Sequence, residues 1–354
     1  MNEYKGKLHE TVVKFPDTDI WMDSCGEEEL SYGLERGCVG ATSNPIIVGA
    51  VIKEELPQWE GKIMELIRDM PDATEDEIAW KLIDIVGSER SKSLLPVFDK
   101  YQGRKGRLSI QVNAKYYRNA EKMAKQAAHL NSLGNNMQVK IPASEAGVAA
   151  MEEATYQGVS INATVSFTVS QAVAVAEAVE RGLARRKKEN LPTEQMAPVC
   201  TIMIGRTDDW LKESVKNEKL IVNPECLEWG GVAVIKEAYR IYRERGYRTR
   251  LLSAANRNHY HWSQLIGGDL AMTINYDWQK KLNQCGIEVK NRILEPVPEE
   301  YMAELNKLPE FHKSYLENGM TPKEFEKYGG FRNTLSTFLT GYDDLVRLIR
   351  SYMV

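Results

Sequence analysis

A lysine stands where the sequence predicts a short buried strand. Residues 135–140 (NNMQVK) have strand character and end on Lys140, shortly before Pro142 and a loop. Burying an ammonium without a partner is costly, so a lysine in this position would lose its proton more easily than usual. The free amine would then be a nucleophile for carbonyl carbons. A lone lysine at a strand end more often extends its charge into solvent, so the hypothesis depends on the residues that accompany Lys140.

Polar residues also fall at or near the ends of the other predicted strands. They are Asp23, Ser43, Asn44, Gln111, Asn113, Asn162, Thr164, Thr201, Arg206, Ser253, Arg257 and Asn275. A lysine, an aspartate, neutral hydrogen-bonding groups and two arginines together suit a sugar phosphate that carries a carbonyl group. The amine attacks the ketone, the carboxylate moves protons, the amides hold hydroxyls, and the guanidiniums bind phosphate.

Eight short apolar segments must position these side chains. They are predicted at about residues 19–24, 38–41, 107–113, 135–140, 159–164, 198–204, 250–254 and 269–275. Helical segments separate nearly all of them, which implies parallel pairing because parallel neighbours need a crossover connection. Eight such units predict an α/β fold, a (β/α)8 barrel with its chemistry at the strand ends. A doubly wound open sheet is the alternative, but the sequence has no GxGxxG or GxxxxGK[ST] loop to support a nucleotide site.

The end of the chain has little strand character. We expect residues 1–275 to form the catalytic barrel domain and residues 276–354 to form a helical extension packed on it. An apolar stripe at helical spacing supports this docking. It consists of Leu335, Phe338, Leu339, Tyr342, Leu345, Val346 and Ile349. The same stripe could instead form a subunit contact, so a homo-oligomer is the alternative.

Composition limits the classes of partner. With 354 residues, 43% hydrophobic and 27% charged, the chain has the proportions of a globular protein. Its formal net charge of -4 argues against general nucleic-acid binding, which needs a basic surface. Five cysteines without a CxxC pair, and no signal peptide or membrane-length apolar run, predict a cytoplasmic protein that uses no membrane. His259 and His261 form an HxH pair without a third ligand, so we expect no metal site there.

Six separated motifs resemble the transaldolase family of class I, Schiff-base aldolases. The resemblance runs from about Asp19 to Asn275 in the order of that family. The motifs are residues 21–23 (WMD), 41–45 (ATSNP), 139–143 (VKIPA), 158–164 (GVSINAT), 204–206 (IGR) with 209–210 (DW), and 257–258 (RN). Any one motif alone would be weak, and their agreement makes the resemblance specific.

The resemblance implies a (β/α)8 barrel and a catalytic role for several residues. Lys140 would form the Schiff base, Asp23 would transfer protons during carbon–carbon cleavage, and Thr164 with Gln111 would act at the catalytic water. Substrate-binding positions would be Ser43, Asn44, Asn162, Thr201, Arg206 and Arg257, with the two arginines at the phosphate. The implied reaction moves a dihydroxyacetone unit between sugar phosphates of the pentose phosphate pathway: sedoheptulose 7-phosphate, glyceraldehyde 3-phosphate, erythrose 4-phosphate and fructose 6-phosphate. No cofactor is implied, because the protonated imine is the electron sink.

Four positions depart from the family pattern. Gln111 stands where transaldolases usually carry a glutamate, and a neutral amide can orient water but cannot accept its proton. Related fructose-6-phosphate aldolases also carry glutamine there, so a lyase is an alternative, although Met203 occupies the position of their tyrosine. Thr201 replaces a frequent serine and keeps the hydroxyl, whereas Ala255 replaces a serine that often contacts phosphate. A sugar-phosphate-binding protein without turnover is a further alternative, against which the presence of Lys140 argues.

Overall fold

Eight parallel strands close into a barrel in the order of the chain. The computed structural model describes residues 4–354. The strands are β1 Thr18–Met22, β2 Gly40–Thr42, β3 Arg107–Gln111, β4 Met137–Pro142, β5 Ile161–Ser166, β6 Val199–Ile202, β7 Arg250–Ser253 and β8 Leu270–Ile274. Strand β1 pairs with β8 from Thr18 with Leu270 to Met22 with Ile274, which leaves no open edge. The predicted (β/α)8 barrel is therefore confirmed, and the doubly wound open sheet is wrong.

Helices follow the strands and form the outer layer. They are α1 Lys7–Lys14, α2 Glu27–Glu35, α3 Pro45–Glu54, α4 Leu56–Asp69, α5 Glu75–Ser91, α6 Leu95–Lys100, α7 Ala120–Asn131, α8 Glu145–Tyr156, α9 Val169–Lys188, α10 Ile204–Glu218, α11 Gly230–Arg245, α12 Tyr260–Ser263, α13 Tyr276–Asn283, α14 Glu299–Leu305, α15 Pro309–Tyr315 and α16 Gly329–Met353. Short 3₁₀ turns span Lys92–Leu94, Ala114–Tyr116, Pro224–Glu228 and Pro322–Lys327.

Polar caps start several of these helices directly after a strand. Ser144 accepts a hydrogen bond from the Gly147 amide at the start of α8, and Thr168 does the same for Gln171 at the start of α9. Asn275 caps α13. Such caps satisfy backbone N–H groups that have no partner within the helix. Each helix therefore begins at the carboxyl end of the barrel, beside the side chains that the strands deliver there.

The interior of the barrel has its own apolar cluster. It consists of Trp21, Val199, Leu252, Ala254 and Ala271. Trp21, Val199, Leu252 and Ala271 come from β1, β6, β7 and β8, one residue from each strand. Gly40 on β2 makes room for the Trp21 ring, because a Cβ at that position would lie 2.7 Å from it. A larger apolar core fills the space between the barrel and the helices.

The amino-terminal end of the barrel is closed by buried charges. Asp19 on β1 is 1% exposed, and its carboxylate contacts Lys105 Nζ at 2.6 Å and Arg250 Nη1 at 2.7 Å. Arg250 also contacts Asp269 at 2.8 Å, in front of β8. These pairs join the starts of β1, β7 and β8 at the face opposite to the strand ends.

The final helix packs on the barrel of the same chain. In α16 the side chains of Leu335, Phe338, Tyr342, Leu345, Val346 and Ile349 are buried, while Leu339 is partly exposed. The helix lies against α3, α5 and α10. The apolar stripe is therefore used within the chain, and the division into two domains stays a prediction. No helix within residues 4–354 is both long enough and apolar enough to cross a bilayer.

Candidate active site

Lys140 lies buried inside the barrel, on β4. Its side chain is 6% exposed, and in register it neighbours Gln111 on β3 and Asn162 on β5. Within residues 4–354 it forms no ion pair. Burial lowers the pKa of Lys140, and the charges of Asp23 and Cys25 oppose that effect only in part. The amine is therefore easier to deprotonate than an ordinary lysine.

Asp23 follows β1 directly and is held by Thr42, which Thr273 contacts in turn. Its backbone N–H donates to the carbonyl of Ile274 at 3.1 Å, which continues the barrel closure by one residue. Thr42 Oγ1 donates to Asp23 Oδ1 at 2.6 Å and also lies 2.6 Å from Thr273 Oγ1. The carboxylate is partly exposed at the mouth. Its orientation is thus fixed by β2 and β8 while one oxygen remains free for a substrate proton.

Gln111 is a buried amide without a partner. Its side chain is fully buried, and neither Oε1 nor Nε2 has a hydrogen-bond partner in the described part of the chain. A buried polar group of this kind is unfavourable unless a water or a ligand satisfies it. Because Gln111 lies beside Lys140 in register, that partner would sit at the reactive amine.

Thr164 lies next to an irregular stretch of backbone in β5. Its hydroxyl is buried near the end of β5 and forms no hydrogen bond with residues 4–354. The following residue, Val165, has φ of 51°, and the pairing of β5 with β6 shifts between Ala163 and Ser166. A positive φ is strained for a β-branched residue and is typical of functional sites. The shift determines which way the Thr164 side chain faces.

Asn162 and Thr201 belong to a hydrogen-bonded chain across the barrel. Thr201 Oγ1 donates to Asn162 Oδ1 at 2.7 Å, and Asn162 Nδ2 donates to Ser109 Oγ at 3.1 Å. Ser109 in turn donates to Gln138 Oε1 at 2.5 Å. The amide oxygen of Asn162 and the hydroxyl proton of Thr201 are thereby used. One N–H of Asn162 remains for a substrate hydroxyl.

Ser43 and Asn44 also have partners within the protein. Ser43 Oγ donates to Cys25 Sγ at 3.4 Å, and Ser43 is buried. Asn44 Oδ1 accepts from the amides of Ile46 and Ile47 at 2.9 and 3.0 Å and so caps α3. Its Nδ2 group is left to hold a substrate hydroxyl, so capping and binding are compatible in this side chain.

Arg206 is a half-buried cation without a counterion. It occupies the first turn of α10, and no acceptor among residues 4–354 bonds to its guanidinium. Burial lowers the pKa of Arg206 and the positive charge of Arg257 lowers it further, whereas the nearby Asp209 carboxylate acts in the opposite direction. Two arginines that repel each other beside a helix amino terminus form a local anion site in a protein of negative net charge.

Arg257 is tethered by its own chain. Its Nε lies 3.1 Å from both carboxylate oxygens of Asp209, and Nη2 lies 2.8 Å from Oδ2. Nη1 donates to the carbonyls of Ala255 and Asn256, both at 3.2 Å. Of the five guanidinium N–H groups, one on Nη2 is left for an anion. A bidentate grip on phosphate therefore requires Arg257 to release Asp209 or one of these carbonyls.

The segments that carry the two arginines touch. A Cβ at Gly205 would lie 1.7 Å from the carbonyl oxygen of Ala255, so only glycine fits there. Ala255 itself has φ of 65°. Most of the predicted site residues lie at or just beyond the carboxyl ends of the strands, whereas Lys140 on β4 and Asn162 on β5 lie deeper inside the barrel. Within residues 4–354 no group of three or more His, Cys, Asp or Glu side chains is arranged to hold a metal ion.

Several supporting residues were absent from the predicted site. They are Thr42, Thr273, Ser109 and Gln138, which orient Asp23 and Asn162. Ser109, Gln138 and Thr273 are polar residues within predicted strands, and Thr42 directly follows the predicted strand 38–41. Polar side chains on the inward face of a parallel barrel strand are the signal that could have revealed them.

Comparisons with known proteins identify the family of this chain. Residues 20–326 match the family model described as transaldolase/fructose-6-phosphate aldolase. A transaldolase of Thiobacillus denitrificans is 28% identical over 236 residues, which cover 64% of either protein, and one of Acidothermus cellulolyticus is 27% identical over 237 residues, 64% of this chain and 62% of the relative. A transaldolase of Campylobacter jejuni is 30% identical over 213 residues, 57% of this chain and 63% of the relative.

The aligned part of this chain spans less than two thirds of the length of these relatives. The family match, in contrast, covers the barrel from β1 to β8 and continues into the helices beyond it. On that match, the chain belongs to the transaldolase/fructose-6-phosphate aldolase family.

Proposed function

We propose that this protein is a transaldolase that transfers a dihydroxyacetone unit from a ketose phosphate to an aldose phosphate. The observation that carries the proposal is the buried amine of Lys140, which has a lowered pKa and no ion-pair partner in the described chain. The anion site at Arg206 and Arg257 supports a phosphorylated substrate. The free thiols and the family resemblance support a cytoplasmic enzyme of the pentose phosphate pathway.

The reaction proceeds on the amine. Lys140 Nζ attacks C2 of the ketose, and loss of water from the carbinolamine gives a protonated imine. Asp23 removes the proton of the C4 hydroxyl, the C3–C4 bond breaks, and its electrons move into the imine to form an enamine. The aldose phosphate leaves. The enamine then attacks the aldehyde of the acceptor, Asp23 returns the proton, and hydrolysis releases the new ketose.

In this proposal Asp23 accepts a proton from the attacking water as well as from the sugar hydroxyl. Gln111 and Thr164 can hold a water beside Lys140, but neither side chain accepts a proton at neutral pH. Among residues 4–354, Asp23 is the carboxylate whose charge is found to act on Lys140. In our proposal it therefore accepts the proton of the attacking water during hydrolysis of the imine, while the amide and the hydroxyl orient that water.

A lyase is the second candidate, and Gln111 is the observation that favours it. In this reaction the enamine is protonated instead of attacking an aldehyde, so free dihydroxyacetone is released. Met203, buried just after β6, brings no hydroxyl to protonate it. The products separate the candidates. With fructose 6-phosphate alone, a lyase releases dihydroxyacetone, whereas a transaldolase turns over only when erythrose 4-phosphate is added.

Borohydride trapping tests the proposal. With fructose 6-phosphate, we expect reduction to leave a dihydroxyacetone adduct on the peptide that contains Lys140, detected by mass spectrometry. Lys140→Met should abolish it. Lys236→Met is the matched control: burial also lowers the pKa of Lys236, to about 8, but its Nζ donates to the carbonyls of Arg292 and Glu295 outside the barrel.

An adduct that survives Lys140→Met, or none with any ketose phosphate tried, would overturn Schiff-base chemistry at this lysine. The binding-protein alternative would then gain support if the Lys140→Met protein kept the affinity of the wild type for fructose 6-phosphate in calorimetry. A transaldolase should lose all turnover in that variant and keep only part of its binding.

A further inference from the structure

His261 is a buried histidine beneath the segment that carries Arg257. Its side chain is 0% exposed. The backbone N–H of Arg257 donates to His261 Nδ1 at 3.1 Å, and His261 Nε2 lies 2.7 Å from Asp208 Oδ2. The other oxygen of Asp208, Oδ1, accepts from the amide of Gly231 at 2.7 Å. The pair thus joins three segments of the chain.

These partners define the protonation of the imidazole. Because Nδ1 accepts a hydrogen bond from an N–H group, it carries no proton. The single proton of the neutral ring is then on Nε2, from which it is donated to the Asp208 carboxylate. That carboxylate is also 0% exposed, so burial raises the pKa of Asp208, while the hydrogen bonds with His261 and with the Gly231 amide at the amino terminus of α11 oppose this effect.

The pair connects the two arginines of the anion site. Asp208 lies on α10, two residues after Arg206 and one before Asp209, which contacts the Arg257 guanidinium. Arg257 is therefore attached to α10 twice, by its side chain through Asp209 and by its backbone through His261. The hydrogen bond between the Arg257 backbone and His261 fixes the distance of that backbone from α10.

We propose that the Asp208–His261 pair is a positioning device for Arg257 that sets the preference for phosphorylated over unphosphorylated donors. This inference rests on the proposed function. His261 touches no substrate; it acts by keeping the Arg257 backbone where its guanidinium and that of Arg206 face the same anion.

Variants of the histidines separate positioning from packing. In His261→Gln the amide reaches toward Asp208 but leaves the Arg257 N–H without an acceptor. In His261→Asn the shorter amide can place its oxygen near the position of Nδ1 and keep that acceptor. His259→Gln is the control, because His259 is exposed and its Nδ1 lies only near Ser263, at 3.4 Å.

The readout is kcat/KM for fructose 6-phosphate and for fructose, together with the affinity of inorganic phosphate measured by calorimetry. We expect His261→Gln to lower kcat/KM for fructose 6-phosphate about tenfold, mainly through KM, and to weaken phosphate binding by a similar factor. Turnover of fructose should be unchanged. His261→Asn should recover most of the loss, and His259→Gln should match the wild type.

A loss that is equal for both donors would show a purely structural role and overturn the inference, as would unchanged phosphate affinity. In an Arg257→Ala background, His261→Gln should have no further effect; an additive loss would also contradict the positioning role. The phosphate measurement needs no turnover. It therefore tests the inference even if borohydride traps nothing and the proposed chemistry fails.

Discussion

Lys140 and Gln111 lie side by side on β4 and β3, and both are polar groups buried without a partner in the described chain. Burying such groups lowers the stability of the free protein, since each loses its hydration. The same groups are the ones a ketose and a water would meet. We infer that both residues lower the stability of the folded protein and are kept because the reaction needs them. The effect on stability and the effect on the reaction can be measured separately.

The substitution Lys140→Met should raise the free energy of unfolding at about pH 7 by about 1 kcal/mol. Burial lowers the pKa of Lys140 from the ordinary 10.5, so between the two values the unfolded chain binds more protons than the folded one. Wild-type stability therefore rises with pH over that window. The advantage of the variant should be largest below the folded-state pKa and shrink as the pH approaches 10.5, as checked by urea unfolding. An advantage that is constant with pH would contradict this account.

The substitution Gln111→Met should also stabilise the protein, by about 1 kcal/mol, because it replaces an unpaired amide by an apolar group of similar shape. It should slow formation of the trapped adduct by at least about tenfold, since the water beside Lys140 loses an orienting group. Thermal unfolding and the time course of borohydride trapping give the two values. A destabilised variant would show instead that a bound water already satisfies the amide in the free enzyme.

Single residues also mark the limit of what the sequence could predict. Asp23, Lys140 and Arg206 were predictable because the ends of parallel strands converge on one face. The sequence did not predict that the Arg257 guanidinium is already engaged by Asp209, 48 residues away. The Asp208–His261 pair joins positions 53 apart, and the sequence showed His261 only as part of an HxH pair without a third metal ligand.

At the level of elements, the two ends of the strands differ in the residues that they carry. The ends hold the polar site, whereas the starts of β1, β7 and β8 are joined by Asp19, Lys105, Arg250 and Asp269. Apolar alternation predicted all eight strands, with ends that differ from the observed ones by a few residues. Strand β2, for example, has three residues, because Ser43 and Asn44 turn into the cap of α3.

The substitution Asp19→Asn should lower the free energy of unfolding by about 3 kcal/mol, because it leaves Lys105 and Arg250 without their buried counterion. Asp269→Asn is the matched control. Asp269 contacts the same arginine but is 45% exposed, so its loss should cost less than about 1 kcal/mol. Neither change should alter KM for fructose 6-phosphate, since both lie at the opposite face. A rise in KM for Asp19→Asn would show that the two faces are coupled.

Across the whole molecule, the tail helices and the barrel are parts of one packed body. Helix α16 lies against α3, which Asn44 caps, and against α10, which carries Arg206. The periodicity of the stripe predicted that it would be covered but could not say by what. The sequence of a helix shows which of its positions are apolar but not which segment packs against them. For α16 those segments lie more than 100 residues earlier in the chain.

The closure of the barrel has a consequence for folding. Strand β1 meets β8 between Thr18 and Leu270, and Thr18 Oγ1 bonds to the carbonyl of Gly268, 250 residues away. Contacts between such distant parts of a chain form slowly, because a long loop must be closed before they are made. The threonine pair that orients Asp23 spans the same seam. During folding, Lys140 would thus reach its final position before Asp23 does. The site would be complete only when β1 pairs with β8.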